Sequence, residues 1–519
     1  MKTLFLILGL AAAANVGAQT AAPAVTDPDL AVRTVVSGLT QPISLAFLGP
    51  NDFLVTEKST GRVKRVVNGS VRSIALDLAV NFASERGLLG IALHPDFRRN
   101  RWVYVYWTQS STGADTEVPA EVGSTRSRRA SIPMGNRVDR YVWNGQTQKL
   151  RFDRNIIVLR AYQADAGQPE RGNHDGGVIR FARSGDSRGR ENDFDFADDK
   201  ANALYDKGED RRRDQREQLF IIIGDTGRRG VLQNLMEGPI GPGIDDDQYG
   251  GPEPDNAHLT GVVLRLNDDG STPRDNPFYE FGASLGGEAG ANLQKVFAYG
   301  IRNSFGLAVD PWTGELWESE NSDDAFEEIN RIEPGHNGGW IQTMGPLSRV
   351  NEFKAIETSP ELLGLQQLRW PPENIADSAV EARTRMVNLP GSHFGEPQFS
   401  WKYALPTAAI GFQENRSLGR KYLGDLFVGA ATPATSGGHI FRFDLTPNRQ
   451  RLAWSDPALA DGVADNDAKH SLLESESLLF GTGFGVSTDI QTAPGGGLFV
   501  VSVSSGSVYE VHRTTPDGD

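Results

Sequence analysis

Short runs of aliphatic and aromatic residues, each closed by a turn rich in Gly, Pro or Asp, follow one another along this chain. Runs of that length, dense in β-branched and aromatic residues, predict strands. They compose one repeated phrase: an apolar strand, a turn, a second apolar strand, a Gly-centred turn and a third strand. The phrase begins with residues 43–48, 53–57 and 61–66 and returns in 90–97, 102–107 and 138–142. Its third copy contains 177–181 and 219–225, and its fourth 306–311, 315–317 and 328–332. The fifth keeps 425–429 and 439–443, and the sixth 489–494, 497–501 and 506–511.

A supersecondary unit repeated in this way cannot bury both faces alone and must pack against its neighbours. The expected fold is all-β, a six-bladed β-propeller with four-stranded antiparallel blades over residues 33–513, in which 33–36 completes the last blade. A pair of β-sandwiches is the rival reading, disfavoured because sandwiches do not usually repeat one phrase six times. Two stretches break the rhythm, a Ser/Thr/Arg-rich one at about 109–135 and a mixed-charge one at about 184–216; both read as surface insertions. Residues 514–519 read as a tail.

Composition narrows the function. With 52 Lys plus Arg against 67 Asp plus Glu the net charge is −15, which disfavours nucleic acid as a partner. The 58 Gly and 28 Pro suit a chain of many turns. Cys is absent, so disulfides, thiolate zinc sites and iron–sulfur clusters are excluded and any cofactor must be held through oxygen and nitrogen. Residues 1–18 carry Lys2, an apolar run over 4–14 and small residues at Val16 and Ala18, the pattern of a signal peptide cleaved after Ala18. Residues 19–32 then read as a linker, no membrane span is expected because no apolar run approaches about 20 residues, and the expected location is periplasmic or secreted.

Candidate chemistry gathers at turns. Asn173-His174-Asp175-Gly176-Gly177 opens the third repeat, where His174 reads either as a general base or as a hydrogen-bonded turn histidine. Asp225, in Gly224-Asp225-Thr226-Gly227, either holds an imidazole or serves the turn. Arg302-Asn303 enters the fourth repeat with a planar cation beside an amide, suited to an anionic or quinone-like oxygen or else to a salt bridge between blades. Residues 319–328 crowd Glu320, Asp323, Asp324, Glu327 and Glu328 around Asn321 and Ser322; such oxygen density suits calcium, and a solvated acidic loop is the plainer reading.

Taken together, residues 87–97, the motif at 173–177, Gly224-Asp225-Thr226-Gly227-Arg228, Asp275-Asn276-Pro277-Phe278, 299–306, Glu328-Ile329-Asn330 and Gly335-His336-Asn337-Gly338-Gly339-Trp340 resemble the soluble quinoprotein glucose/sorbosone dehydrogenases, including the aldose sugar dehydrogenases. The resemblance runs from about Gly38 to Val511. It implies a propeller using pyrroloquinoline quinone (PQQ) and calcium, a small sugar as substrate and an external electron acceptor. It further implies that His174 takes the anomeric hydroxyl proton while hydride passes to the quinone, that Asp225 supports that step, and that Arg302 stabilises developing charge. Glu85, Asn173, Arg302 and Asn303 would line the cofactor. Asn321, Ser322, Asp324 and Glu328 would serve calcium as a Lewis acid.

Some positions depart from the family pattern. Asn321-Ser322 stands where relatives have a glycine-proline pair whose carbonyls bind calcium. The quinone-binding lysine of the fifth blade falls near Ser436, and Phe484 to Ile490 lacks the arginines that meet the cofactor's carboxylates. Burying three carboxylates without cations is costly; Lys402 or His439 is a candidate substitute, although neither matches a family position. Two readings follow: a quinoprotein oxidising aldoses, or a relative without the cofactor that acts as a calcium-stabilised sugar-binding propeller or a hydrolase.

Overall fold

In the strands Asp52–Glu57, Gln218–Ile223, Leu316–Glu320, Leu426–Ala430 and Leu498–Ser502, almost every residue is buried whichever way it points. A strand reads this way when both faces of its sheet are covered, which is why the sequence shows apolar runs at these places rather than strict alternation. The protein was analysed as a computed structural model, which describes residues 22–123, 125–126, 133–161, 172–182, 217–226, 259–362, 375–433 and 437–514.

The described strands fall into six sheets, each built on four antiparallel strands. In chain order, the first holds Pro42–Gly49, Asp52–Glu57, Arg62–Val67 and Ser70–Asp77. The second holds Leu88–Leu93, Trp102–Thr108, Pro133–Asn144 and Lys149–Arg160. The third is Ile179–Ala182, Gln218–Ile223, Val262–Asn267 and Val296–Tyr299, and the fourth Ser304–Val309, Leu316–Glu320, Ala325–Ile332 and Phe399–Tyr403. The fifth is Thr407–Phe412, Leu426–Ala430, His439–Leu445 and Leu479–Thr482. The sixth combines Ser487–Thr492, Leu498–Ser502 and Ser507–Arg513 with Leu30–Val36 from the other end of the chain.

The first strand of each sheet packs against the first strand of the next, and that of the sixth against that of the first, so the sheets close into a propeller around an axis. Blades are mainly antiparallel but not uniformly four-stranded. The third adds His336–Asn337 and His393–Phe394 in parallel, the fourth adds Val463–Ala464 in parallel, the second adds Thr125–Arg126, and the fifth adds Ala24–Val25 and Leu452–Ala453. Residues 24–25 and 30–32 therefore pair in sheets and are not the free linker expected over 19–32. Helices Val350–Glu357 and Ala379–Arg385 interrupt the fourth blade, an excursion the strand pattern did not predict.

Residues 1–18, 184–216 and 515–519 lie outside the described residues. Of the expected insertion at 109–135, residues 109–123 are tied to Val80 and Asn81 and closed on themselves through bridges Val80↔Gln109, Asn81↔Thr116 and Ser110↔Val122. Among the described residues no helix is long and apolar enough to cross a membrane.

Candidate functional site

Antiparallel blades bring the start of each first strand and the end of each second strand to the same rim. Glu85, Asn173–His174 and Arg302–Asn303 precede the first strands of blades two, three and four, while Lys58, Asp225 and Asn321 follow the second strands of blades one, three and four. Topology therefore gathers residues far apart in sequence around one mouth of the axis.

His174 is the centre of the cluster. Its Nδ1 lies 2.5 Å from Asp225 Oδ1, and the other carboxylate oxygen, Oδ2, accepts the indole N–H of Trp340 at 2.9 Å. Two fixed donors on one carboxylate lock the imidazole plane. The backbone of His174 sits at φ 58°, in the left-handed region that a non-glycine residue seldom adopts, and its N–H donates to Glu85. Glycine at 224 is required for this closeness: a Cβ there would lie 2.5 Å from the Arg302 carbonyl oxygen and 2.8 Å from that of His174. Burial pushes the Glu85 carboxyl up to about 8, opposed by the His174 N–H bond and by the charges of Arg302 and Lys58. Asn173 accepts a hydrogen bond from Ser84 Oγ at 3.1 Å.

Arg302 is buried. Its Nη1 donates to the carbonyl oxygens of Asn321 and Ser322 at 2.6 and 3.0 Å, its Nη2 pairs with Asp323, and its guanidinium carbon lies 5.4 Å from the Trp340 ring centroid. Its Nε, like Oδ1 of Asn303, is buried without a hydrogen-bond partner among the described residues. A buried donor and a buried acceptor left unmade on adjacent residues are groups that a polar ligand could satisfy.

Three residues that the sequence reading did not single out complete the wall. Lys58 is buried, with Nζ donating to the Phe82 carbonyl at 3.0 Å; burial draws its pKa down to about 8 against the opposing pull of Glu85 and Asp175. Asp175 accepts from Asn136 Nδ2 at 2.7 Å and lies 3.9 Å from Arg86, and burial pushes it up to about 7. Arg86 reaches the carbonyls of Ala161 and Pro119 at 2.9 and 2.7 Å, so the stretch read as a surface insertion supports the wall of the site. The one available signal for Lys58 was its place directly after a second strand, as with Asp225.

Lys402 does not join the cluster: it sits on the fourth strand of its blade and pairs with Glu352 at 3.0 Å and Asp465 at 3.7 Å. His439 begins the third strand of blade five, also away from the axis. The residues expected to serve calcium are engaged elsewhere. Asp324 pairs with Lys469, Glu328 accepts the Gly345 N–H and, at 2.9 Å, Nδ2 of Asn330, and the Asn321 and Ser322 carbonyls face Arg302. Among the described residues no group of three or more His, Asp or Glu side chains is arranged to hold a metal ion. Ser436 lies outside the described residues, and from Phe484 to Ile490 the first strand of blade six brings no cation to the rim.

Comparison with known proteins agrees with this fold. Quinoprotein glucose dehydrogenase B of Acinetobacter calcoaceticus is 27% identical over 318 residues, 60% of this chain and 52% of that protein, so the match spans about half the relative's length. The apo-form of the soluble aldose sugar dehydrogenase of Escherichia coli superposes with a TM-score of 0.55 at 20% identity, covering 93% of this chain and 99% of that one. The PQQ-bound form of the aldose sugar dehydrogenase of Streptomyces coelicolor gives a TM-score of 0.50 at 20% identity over 95% and 100%. The sequence profile of the Glucose / Sorbosone dehydrogenase family matches residues 39–186 and 152–361, more than half of the chain, and the chain belongs to that family.

Proposed function

We propose that the chain oxidises aldose sugars at the anomeric carbon, yielding lactones, with PQQ bound against Arg302 and Asn303. The observation that carries this reading is the His174–Asp225–Trp340 arrangement at the mouth of the axis beside two orphaned polar atoms. With Nδ1 directed at a carboxylate, the neutral imidazole has its basic nitrogen at Nε2. That nitrogen takes the proton of the C1 hydroxyl, and Asp225 stabilises the imidazolium that results. PQQ, when bound, supplies the acceptor for the hydride leaving C1. Arg302 Nε and Asn303 Oδ1 would hold PQQ, the guanidinium offering a donor that would stabilise negative charge on it.

The PQQ carboxylates need cations, and the last two blades bring none among the described residues. Lys58, buried and with a single side-chain hydrogen bond among the described residues, to a carbonyl, is the cation we assign to them. Calcium is left out of this reading, because its expected carbonyl ligands already accept bonds from a guanidinium. An external acceptor would reoxidise the quinone, and the amino-terminal segment read as an export signal would put the reaction in the periplasm or medium.

The test is dye reduction with a panel of aldoses by the purified chain, with and without PQQ. The proposal expects reduction only with both quinone and sugar present. A chain that binds aldoses but neither takes up PQQ nor reduces dye would support the sugar-binding alternative, which the cation-poor last blade favours.

A further inference from the structure

The oxygen atoms that the family resemblance would assign to calcium are in use. One nitrogen of Arg302, Nη1, bridges the carbonyls of Asn321 and Ser322, and the other, Nη2, pairs with Asp323. The carboxylate of Asp225 also bears on this guanidinium. A second cation closes the group: Lys469 pairs with Asp324 and donates to the Asp323 carbonyl at 3.0 Å. Calcium sits about 2.3–2.6 Å from its oxygen ligands. An ion on either carbonyl would therefore stand within roughly 5 Å of Nη1, a like charge in a buried setting where repulsion is poorly screened.

We propose that Arg302 is a built-in replacement for the divalent cation: its guanidinium joins the two carbonyls and neutralises the acidic turn, so the fold and the site form without calcium. Two consequences distinguish this from a calcium site that happens to be unloaded. The protein as it exists should be indifferent to calcium. Removing the guanidinium should uncover a calcium site, because the two carbonyls and the Asp323 side chain would then lose the cation they share.

Neither consequence depends on which cofactor the protein uses, so a failed quinone assay would leave the proposal standing. The experiment measures the melting temperature of the full chain in chelator and in millimolar calcium, with calcium titrated by calorimetry in parallel. For the wild type we expect no shift and no stoichiometric binding. For Arg302→Gln we expect a lower melting temperature in chelator that rises with the logarithm of free calcium, as for any ligand bound only by the folded state, and rises less with magnesium. Asp323→Asn, which keeps both carbonyl bonds to Nη1, should stay indifferent. A wild type that loses stability in chelator or takes up calcium stoichiometrically would overturn the proposal, even if Arg302→Gln failed to fold. A folded Arg302→Gln protein with no response to calcium would overturn it equally.

Discussion

Asp225 holds an imidazole with one oxygen and an indole with the other, so its loss should be felt as misplacement rather than as missing charge alone. Asp225→Asn keeps the shape but offers an amide where the imidazole N–H needs an acceptor, which favours the wrong tautomer. Aldose-dependent dye reduction should fall roughly 10²-fold, the scale at which a misdirected base is usually felt, while quinone uptake measured by absorbance stays near that of the wild type. A variant that kept full turnover would remove Asp225 from the proton path. At this scale the sequence marked His174 and Asp225 as polar residues in glycine-containing turns, which the structure brings together. It was silent on Lys58, Arg86 and Asp175, whose meaning arises from neighbours in other blades. It misled at Lys402, because a cation beside an aromatic looks alike on an inner and an outer strand.

Arg180, on the first strand of the third blade, donates to Asp489 on the first strand of the sixth at 2.7 Å, and these strands stand three places apart in the ring. Asp489 also accepts from Ser44 Oγ and the Leu45 N–H, both at 2.9 Å, and from Gln491 at 2.8 Å. One carboxylate thus ties the first, third and sixth blades together across the axis. Asp489→Ala strands four donors in a buried place and should cost about 3 kcal/mol or more, whereas Arg180→Ala leaves three of the bonds intact. The first should therefore lower the melting temperature more than the second, and the reverse order would contradict this account of the axis. The strands themselves were largely legible, since second strands buried on both faces read as unbroken apolar runs. The first strand of blade five, Thr407–Phe412, escaped notice because Ala and Gly at its packing positions leave it without a hydrophobic signature. The helices of the fourth blade escaped because they lie between strands that pair only in three dimensions.

The whole molecule is closed by its own termini: Leu30–Val36 pairs with Ser507–Arg513, an arrangement the run at 33–36 allowed the sequence to anticipate. The ring also carries an unusual load of buried acid in blade four, where burial pushes Glu318 up to about 8, Glu328 to about 7 and Glu357 to about 8. Folding thus raises these carboxyls above their ordinary 4.5, so the folded state holds protons that the unfolded chain has released. Stability from this source is fully present below about pH 4.5 and is lost as pH rises through 7 to 8. The melting temperature should accordingly fall between pH 5 and pH 8.5, and Glu318→Gln, which mimics the protonated acid, should flatten that fall; a melting temperature that climbed over the same range would reverse the sign. The central claim, that His174 is the base of a quinone-dependent sugar oxidation, is tested most directly by loading the wild type and His174→Ala with PQQ and comparing turnover at equal quinone absorbance. The account predicts equal loading and a loss of aldose-dependent dye reduction of roughly 10²-fold or more in the variant; equal turnover at equal loading would contradict it.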